Sequence, residues 1–311
     1  MSPQALFFLI LFALLMVGLW MIRMFRRSID RSQKHFLNRS SDLKRADYGI
    51  FRENQDWLSD QQPEMVDIDA LDNTPLSAYF LSHAHARFGV VLVHGYSSSA
   101  KAMATYARYY HETLNASVLM IDLRAHGLSG GSKIGFAYND RLDLPLWISQ
   151  LRMHVPKQLP IVLHGISMGA SAILYTLADG IENVSAIISD SAFIDLEPIF
   201  RRQIQMIYKL PTQGIVAFVS LLMRINNGFF LHETQLLKTL TAKLPILIMH
   251  GELDRFVPVE MAQQLYRHYQ GDKTLYIAPN ALHAMTYAVD RERYEKTIAT
   301  FLKRHLNTLE I

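Results

Sequence analysis

Half of the 311 residues are apolar, enough for a large buried core, and the absence of cysteine excludes disulfides, thiolate metal ligation and a cysteine nucleophile. A single α/β domain of about 250 residues fits this length. The net charge of +3 is unevenly spread: residues 23–45 alone carry net +6, leaving net −3 for residues 46–311, so nucleic-acid binding gains no support from it.

The stretch Ala5–Ile22 is apolar throughout and uncharged. At about 1.5 Å per residue a helix of this length just crosses a hydrocarbon core. A cleavable signal peptide has a basic stretch in front and a small-residue cleavage site behind. Here Met1-Ser2-Pro3-Gln4 precedes the segment and Arg23 follows Trp20-Met21-Ile22, so residues 1–22 are predicted to be an uncleaved, single-pass membrane anchor. Behind it stand Arg23, Arg26, Arg27, Arg31, Lys34, Arg39, Lys44 and Arg45 against Asp30 and Asp42. That excess favours a cytoplasmic position for the domain that follows and suits anionic headgroups, with a solvated linker on the outer face as the alternative. Residues 23–75 are expected to be a basic juxtamembrane segment and polar linker, and residues 76–311 a folded domain.

Within that domain apolar runs alternate with amphipathic ones. Strands are expected at Ala78–Leu81, Phe88–Val93, Ser117–Leu123, Pro160–His164, Val184–Ile188, Pro245–Met249 and Thr274–Ile277. Helices are expected over 101–114, 143–154, from Ala170 onward, 259–269 and 291–305. Strands and helices in alternation imply an α/β fold: a mostly parallel central sheet flanked by helices on both faces. About fifty residues, 195–243, interrupt the alternation. They include Ile199-Phe200, Ile204, Met206-Ile207-Tyr208 and the run Ile215 to Met223, which is too short to span a membrane, and they read as a helical cap over the sheet edge, with Pro211 and Gly214 as a hinge.

The chemistry centres on Gly165-Ile166-Ser167-Met168-Gly169, set between an apolar strand and a helix. That context forces the serine into a tight turn with its hydroxyl exposed at the sheet edge. A serine hydroxyl attacks only if a base takes its proton, and the base needs a third group to fix its tautomer. Asp254 follows the strand at 245–249, and His283 follows the last strand, in the order Ser, acid, His. Asp190 also ends a strand and competes for the acid's place, as does Glu252. An oxyanion needs two prepositioned donors, of which the backbone N–H of Met168 is one. His94, His126, His164 and His250 adjoin glycines at strand ends and are read as structural. His83-Ala84-His85 lacks a nearby carboxylate to complete a metal site.

The segments HGYSSS (94–99), DLRAHGLSGG (122–131), GISMGA (165–170), HGELDRFVP (250–258) and ALHAM (281–285) occur in this order. Together they resemble the α/β-hydrolase superfamily, and specifically membrane-anchored bacterial esterase-type and prolyl-oligopeptidase-type serine hydrolases. Ala125 departs from the Arg-Gly-His-Gly of many relatives, a small-for-small change. The resemblance implies an α/β-hydrolase fold, Ser167 as nucleophile, His283 as base and Asp254 as orienting acid. By the same resemblance Tyr96 supplies the second oxyanion N–H, and the reaction needs no metal or organic cofactor. It implies cleavage of carboxylic esters, of small molecules or lipids with an apolar acyl group, through an acyl-serine intermediate. Peptidase, amidase or acyl-transfer activity would use the same residues, and a non-catalytic membrane-tethered binding protein is the reading from a different class. Dehalogenase or epoxide-hydrolase chemistry would require an aspartate at position 167.

Overall fold

The computed structural model describes residues 2–31, 48–209 and 211–309. Eight strands form one sheet: β1 (Glu64–Asp69), β2 (Pro75–Leu81), β3 (Phe88–Val93), β4 (Ala116–Ile121), β5 (Ile161–Ile166), β6 (Ala186–Asp190), β7 (Ile246–Gly251) and β8 (Lys273–Ala278). Their spatial order is β1-β2-β4-β3-β5-β6-β7-β8. β2 runs antiparallel to both β1 and β4, and every other pair is parallel. Strands β3 to β7 are buried along their whole length, the physical reason they are written as near-continuous apolar runs. The chain is an α/β-hydrolase fold with a mostly parallel sheet.

The helices, in chain order, are α1 (Pro3–Ile29), α2 (Tyr48–Asp60), α3 (Ala104–Arg108), α4 (Leu144–His154), α5 (Met168–Asp179), α6 (Leu196–Gln203), α7 (Ile215–Asn227), α8 (Val259–His268), α9 (Thr286–Val289) and α10 (Arg291–His305). Those that flank the sheet divide between its two faces. Trp147 and Leu151 of α4, Ile173 and Leu174 of α5, and Leu265 of α8 share one apolar core. Tyr106 of α3 and Tyr294, Ile298 and Leu302 of α10 share the other. The insertion between β6 and β7 is helical: α6 runs into a wider turn over Ile204–Tyr208, and α7 follows Gly214, whose φ of 77° turns the chain into it. Its buried residues Leu196, Ile199, Val216 and Met223 join the α4–α5 core.

Two features differ from the sequence expectation. The stretch 46–75, read as linker, contains α2 and β1, both parts of the domain. β1 is an edge strand with a single well-buried side chain, Val66, so its sequence EMVDID carries too little apolar signal to declare itself. In α2, Trp57 and Leu58 pack into the α10-side core, and Trp57 Nε1 donates to Glu112 Oε1 at 2.6 Å.

The other difference is at the amino terminus. The apolar segment lies on a helix, α1, long and apolar enough to cross a membrane, and none of its most apolar 18-residue window is buried. The helix does not stop at residue 22 but continues to Ile29, and its last turns enter the domain. Phe25 and Ile29, four residues apart on one face, are buried in the same core as the cap. Beyond them Ile134 N donates to Ile29 O at 2.7 Å, and the Arg31 guanidinium donates to the carbonyls of Ser129 and Gly127 at 2.5 and 2.6 Å. Arg23, Arg26 and Arg27 alternate with this apolar pair, and so the segment reads as a basic tail in one dimension. The remaining basic positions of that segment, Lys34, Arg39, Lys44 and Arg45, lie outside the described residues, as does Asp42.

Removing buried methyl groups from Ile29 should weaken this docking by about 2–5 kcal/mol. In detergent-solubilised full-length protein, Ile29→Ala is expected to accelerate tryptic cleavage at Arg26, Arg27 and Arg31 at least tenfold. An unchanged cleavage rate would show that these turns are not held by the domain.

Candidate active site

Ser167 sits at the junction of β5 and α5 with φ 52° and ψ −114°. A side chain in this region of backbone space costs on the order of 1–3 kcal/mol, so the surroundings have to impose it. They do so through close approach. A Cβ placed on Gly169 would lie 2.2 Å from the carbonyl oxygen of Val93, and one on Gly165 would lie 2.5 Å from the amide nitrogen of Ala170. Only glycine lets α5 leave the strand at this angle against the backbone of β3. Ser167 N donates to Asp190 O at 2.8 Å, closing the turn from the neighbouring strand.

The three side chains named from the loops after β5, β7 and β8 are joined in series. Ser167 Oγ lies 2.8 Å from His283 Nε2, and His283 Nδ1 lies 2.7 Å from Asp254 Oδ2. All three residues are buried. The other carboxylate oxygen, Asp254 Oδ1, accepts from the amides of Phe256 and Val257 at 2.9 and 2.8 Å. Burial alone would push the Asp254 carboxyl up. The His283 charge and the hydrogen bonds from His250 and His283 outweigh it and hold the group well below the usual carboxylate range. It therefore stands as an ionised acceptor opposite Nδ1, with Nε2 of the same ring facing Ser167 Oγ.

His250, read from sequence as structural, lies beneath this acid. Its Nε2–H is shared between Val257 O at 2.9 Å and Asp254 Oδ2 at 3.2 Å. Burial lowers its pKa, but the hydrogen bond to Asp254 and that carboxylate's charge raise it above the ordinary value. The only sequence signal for it was its place four residues before Asp254 at the end of β7. The rival acids point elsewhere. Asp190 accepts from Thr286 Oγ1, Ser191 Oγ and Tyr294 Oη, which ties α9 and α10 to the sheet. Glu252 accepts from Asn280 N at 3.1 Å. His94, His126 and His164 pair with backbone or tyrosine groups, as structural histidines do. Among the described residues no group of three or more His, Cys, Asp or Glu is arranged to hold a metal ion.

Two backbone segments flank Ser167. Met168 begins α5 directly after it, and the loop after β3 abuts it from the other side, where a Cβ on Gly95 would lie 3.3 Å from Ser167 Cβ. Tyr96 and Met168 line the same cavity as Ser167. The Tyr96 ring stacks on Phe136 and its hydroxyl donates to Ser28 O of α1 at 2.6 Å, which fixes the loop that carries its N–H. The cavity holds about 200 Å³ and is walled by Phe193, Leu196, Phe200, Val219 and Phe256 together with the last turns of α1. Among its described lining residues there is no carboxylate, and the one charged group is Arg27.

The comparisons with known proteins agree with this architecture. The family described as serine aminopeptidase, S33, matches residues 84–229 and 221–290. Protein YqkD of Bacillus subtilis (strain 168) is 29% identical over 215 residues, 68% of this chain and 70% of its own length. Protein bem46 of Schizosaccharomyces pombe is 23% identical over 251 residues, covering 79% of this chain and 78% of its own. Among solved structures, the Pyrococcus furiosus esterase Pf2001 superposes with a TM-score of 0.64 at 25% identity, over 80% of this chain and 96% of its own.

Because the atom facing Gly169 is a backbone oxygen that cannot yield, Gly169→Ala should cost at least about 3 kcal/mol, measured by urea unfolding in detergent. The ionised Asp254 makes a second, pH-dependent prediction. A carboxyl held below its unfolded value contributes stability that is fully present above about pH 4 and lost as pH falls through the folded value. Urea midpoints of Asp254→Asn should lie below wild type at pH 7, and the gap should begin to narrow only below about pH 4 and close as pH falls through the depressed folded value.

Proposed function

This chain belongs to the serine aminopeptidase S33 family, and on that premise we propose that it is a membrane-anchored serine hydrolase that cleaves carboxylic esters with apolar acyl groups. The observation that carries this reading is the hydrogen-bonded series Ser167–His283–Asp254 opening into a carbon-lined cavity. In the proposed reaction His283 Nε2 takes the Ser167 proton as Oγ attacks the ester carbonyl. Asp254 holds Nδ1–H and stabilises the imidazolium that forms. The tetrahedral oxyanion is received by the backbone N–H groups of Met168 and Tyr96. Collapse breaks the bond to the alcohol, which leaves with the proton from His283. Water, deprotonated by the same ring, then attacks the acyl-serine, the acid is released and Oγ regains its proton.

An aminopeptidase has to bind a protonated substrate amine, which calls for a carboxylate or an array of acceptors in the pocket. The cavity's described lining is mostly carbon, with Arg27 and Gln203 and no carboxylate, and this favours an uncharged acyl chain. The anchor is proposed from α1, whose helix runs unbroken from its exposed apolar part into the domain core. A signal peptide carries a basic stretch before its apolar run and a small-residue cleavage site behind it, and here Met1-Ser2-Pro3-Gln4 stands before the run and Trp20-Met21-Ile22-Arg23 at its end. The arginines at the domain end of α1 favour the cytoplasmic side for the catalytic domain.

The test is hydrolysis of p-nitrophenyl esters across acyl lengths by the full-length protein in detergent, with fluorophosphonate labelling beside it. Ser167→Ala should abolish labelling and lower kcat/KM by at least about a thousandfold, and Asp254→Asn should lower kcat by a similar order. Folded protein that neither labels nor hydrolyses any ester would overturn the reading.

A further inference from the structure

The cavity above Ser167 is not made by the catalytic domain and its cap alone. Trp20, Met21, Met24, Phe25 and Ser28 of α1 line it, together with Arg27. Positions 20, 21, 24, 25 and 28 follow the 3.6-residue period and form a single stripe along the helix. The lower end of this stripe is tied down: Phe25 and Ile29 are buried in the core, and the Tyr96 hydroxyl bonds Ser28 O. Its upper end runs without interruption into the exposed apolar part of the helix, where Met16, Val17 and Trp20 are 41–53% exposed. Trp20 belongs to both, lining the cavity and ending the exposed segment.

The distances are short. From Trp20 to Phe25 the helix rises only about 7.5 Å. A helix of 27 residues exceeds what a hydrocarbon core requires by about two turns, so on the anchor reading proposed above its last turns would stand in the interfacial layer, where tryptophan and arginine side chains settle. Arg23 and Arg26, exposed on the other side of the same turns, would then lie at the depth of lipid headgroups. The wall that faces Ser167 is thus the same helix face that continues into the acyl layer.

We propose that the last turns of α1 form one wall of the acyl-binding pocket, with Met21 and Met24 as specificity-determining residues, and that the substrate is a long-chain lipid ester whose acyl chain reaches Ser167 along α1 from the bilayer. The inference rests on the serine-hydrolase reading above. Methionines suit such a wall because their unbranched, polarisable side chains adapt to a flexible alkyl chain. The cap supplies the opposite wall through Phe200, Ile215 and Val219, so the alkyl chain would lie between α1 and α7. Two roles then meet in α1: it holds the enzyme at the membrane, and it shapes the site.

The experiment uses full-length protein in lipid nanodiscs and an alkyl fluorophosphonate of about sixteen carbons bearing a diazirine about five carbons from phosphorus. The probe phosphonylates Ser167 and, on irradiation, marks whatever surrounds that part of its chain. Photo-adducts on residues 20–28 are expected. Labelling of Ser167 with adducts confined to the cap would overturn the proposal and leave the hydrolase reading standing. No labelling of Ser167 would overturn both. A second measurement follows selectivity: Met24→Trp should lower the ratio of kcat/KM for sixteen-carbon over four-carbon esters at least tenfold, and Met24→Ala should not lower it. A ratio unchanged in Met24→Trp would count against α1 as a wall of the pocket.

Discussion

The geometry of this protein depends on one forced approach, that of helix α5 to the backbone of β3 at Gly169. The approach is possible because no side chain stands between them, and it leaves Ser167 with a φ of 52° at the edge of the sheet. A lone serine in that backbone region would relax. Here the relaxation is blocked by Asp190 O on one side, the β3 carbonyls on another and the buried first turn of α5 below. The energy held in the turn is offset by the extended apolar burial of β3, β5 and α5, whose side chains are almost wholly removed from water.

Around that point the sheet brings together residues far apart in sequence. Parallel strands end at one edge, so the loops after β3, β5, β7 and β8 converge there. The loop after β7 carries an acid satisfied by two amides and two imidazoles, and the loop after β8 carries the histidine. Desolvation works against a charge at Asp254, and this arrangement overcomes it with groups that cannot turn away. The adjacent Asp190 is surrounded by three hydroxyls and serves the packing of α9 and α10.

The amino-terminal helix is not a separate appendage. A helix joined through a flexible linker leaves the domain that follows indifferent to its position. Here α1 enters the domain core at Phe25 and Ile29, bonds the loop of Tyr96 and closes one side of the cavity. Any motion of α1 against the domain is therefore felt at the pocket, and the cap helix α7 shares a core with it.

Much of this was legible in the sequence, for physical reasons that can be named. Strands buried on both faces have to be continuously apolar, and a strained serine turn needs glycines two residues either side, so the mostly parallel α/β sheet, the helical cap and the turn at Ser167 were written locally, while the hydrolase fold was legible through the resemblance that five ordered motifs carry. So was the uncharged run that makes α1 long enough for a membrane. Tertiary structure decided what depends on distance between separate segments. Asp190, Glu252 and Asp254 all follow strands, and only the packing of loops brings Asp254 to 2.7 Å from His283. β1 and α2 were hidden because an edge strand with one buried face carries little apolar signal. The last turns of α1 were hidden because their arginines, read along the chain, mask an apolar face that exists only once the helix is wound and docked.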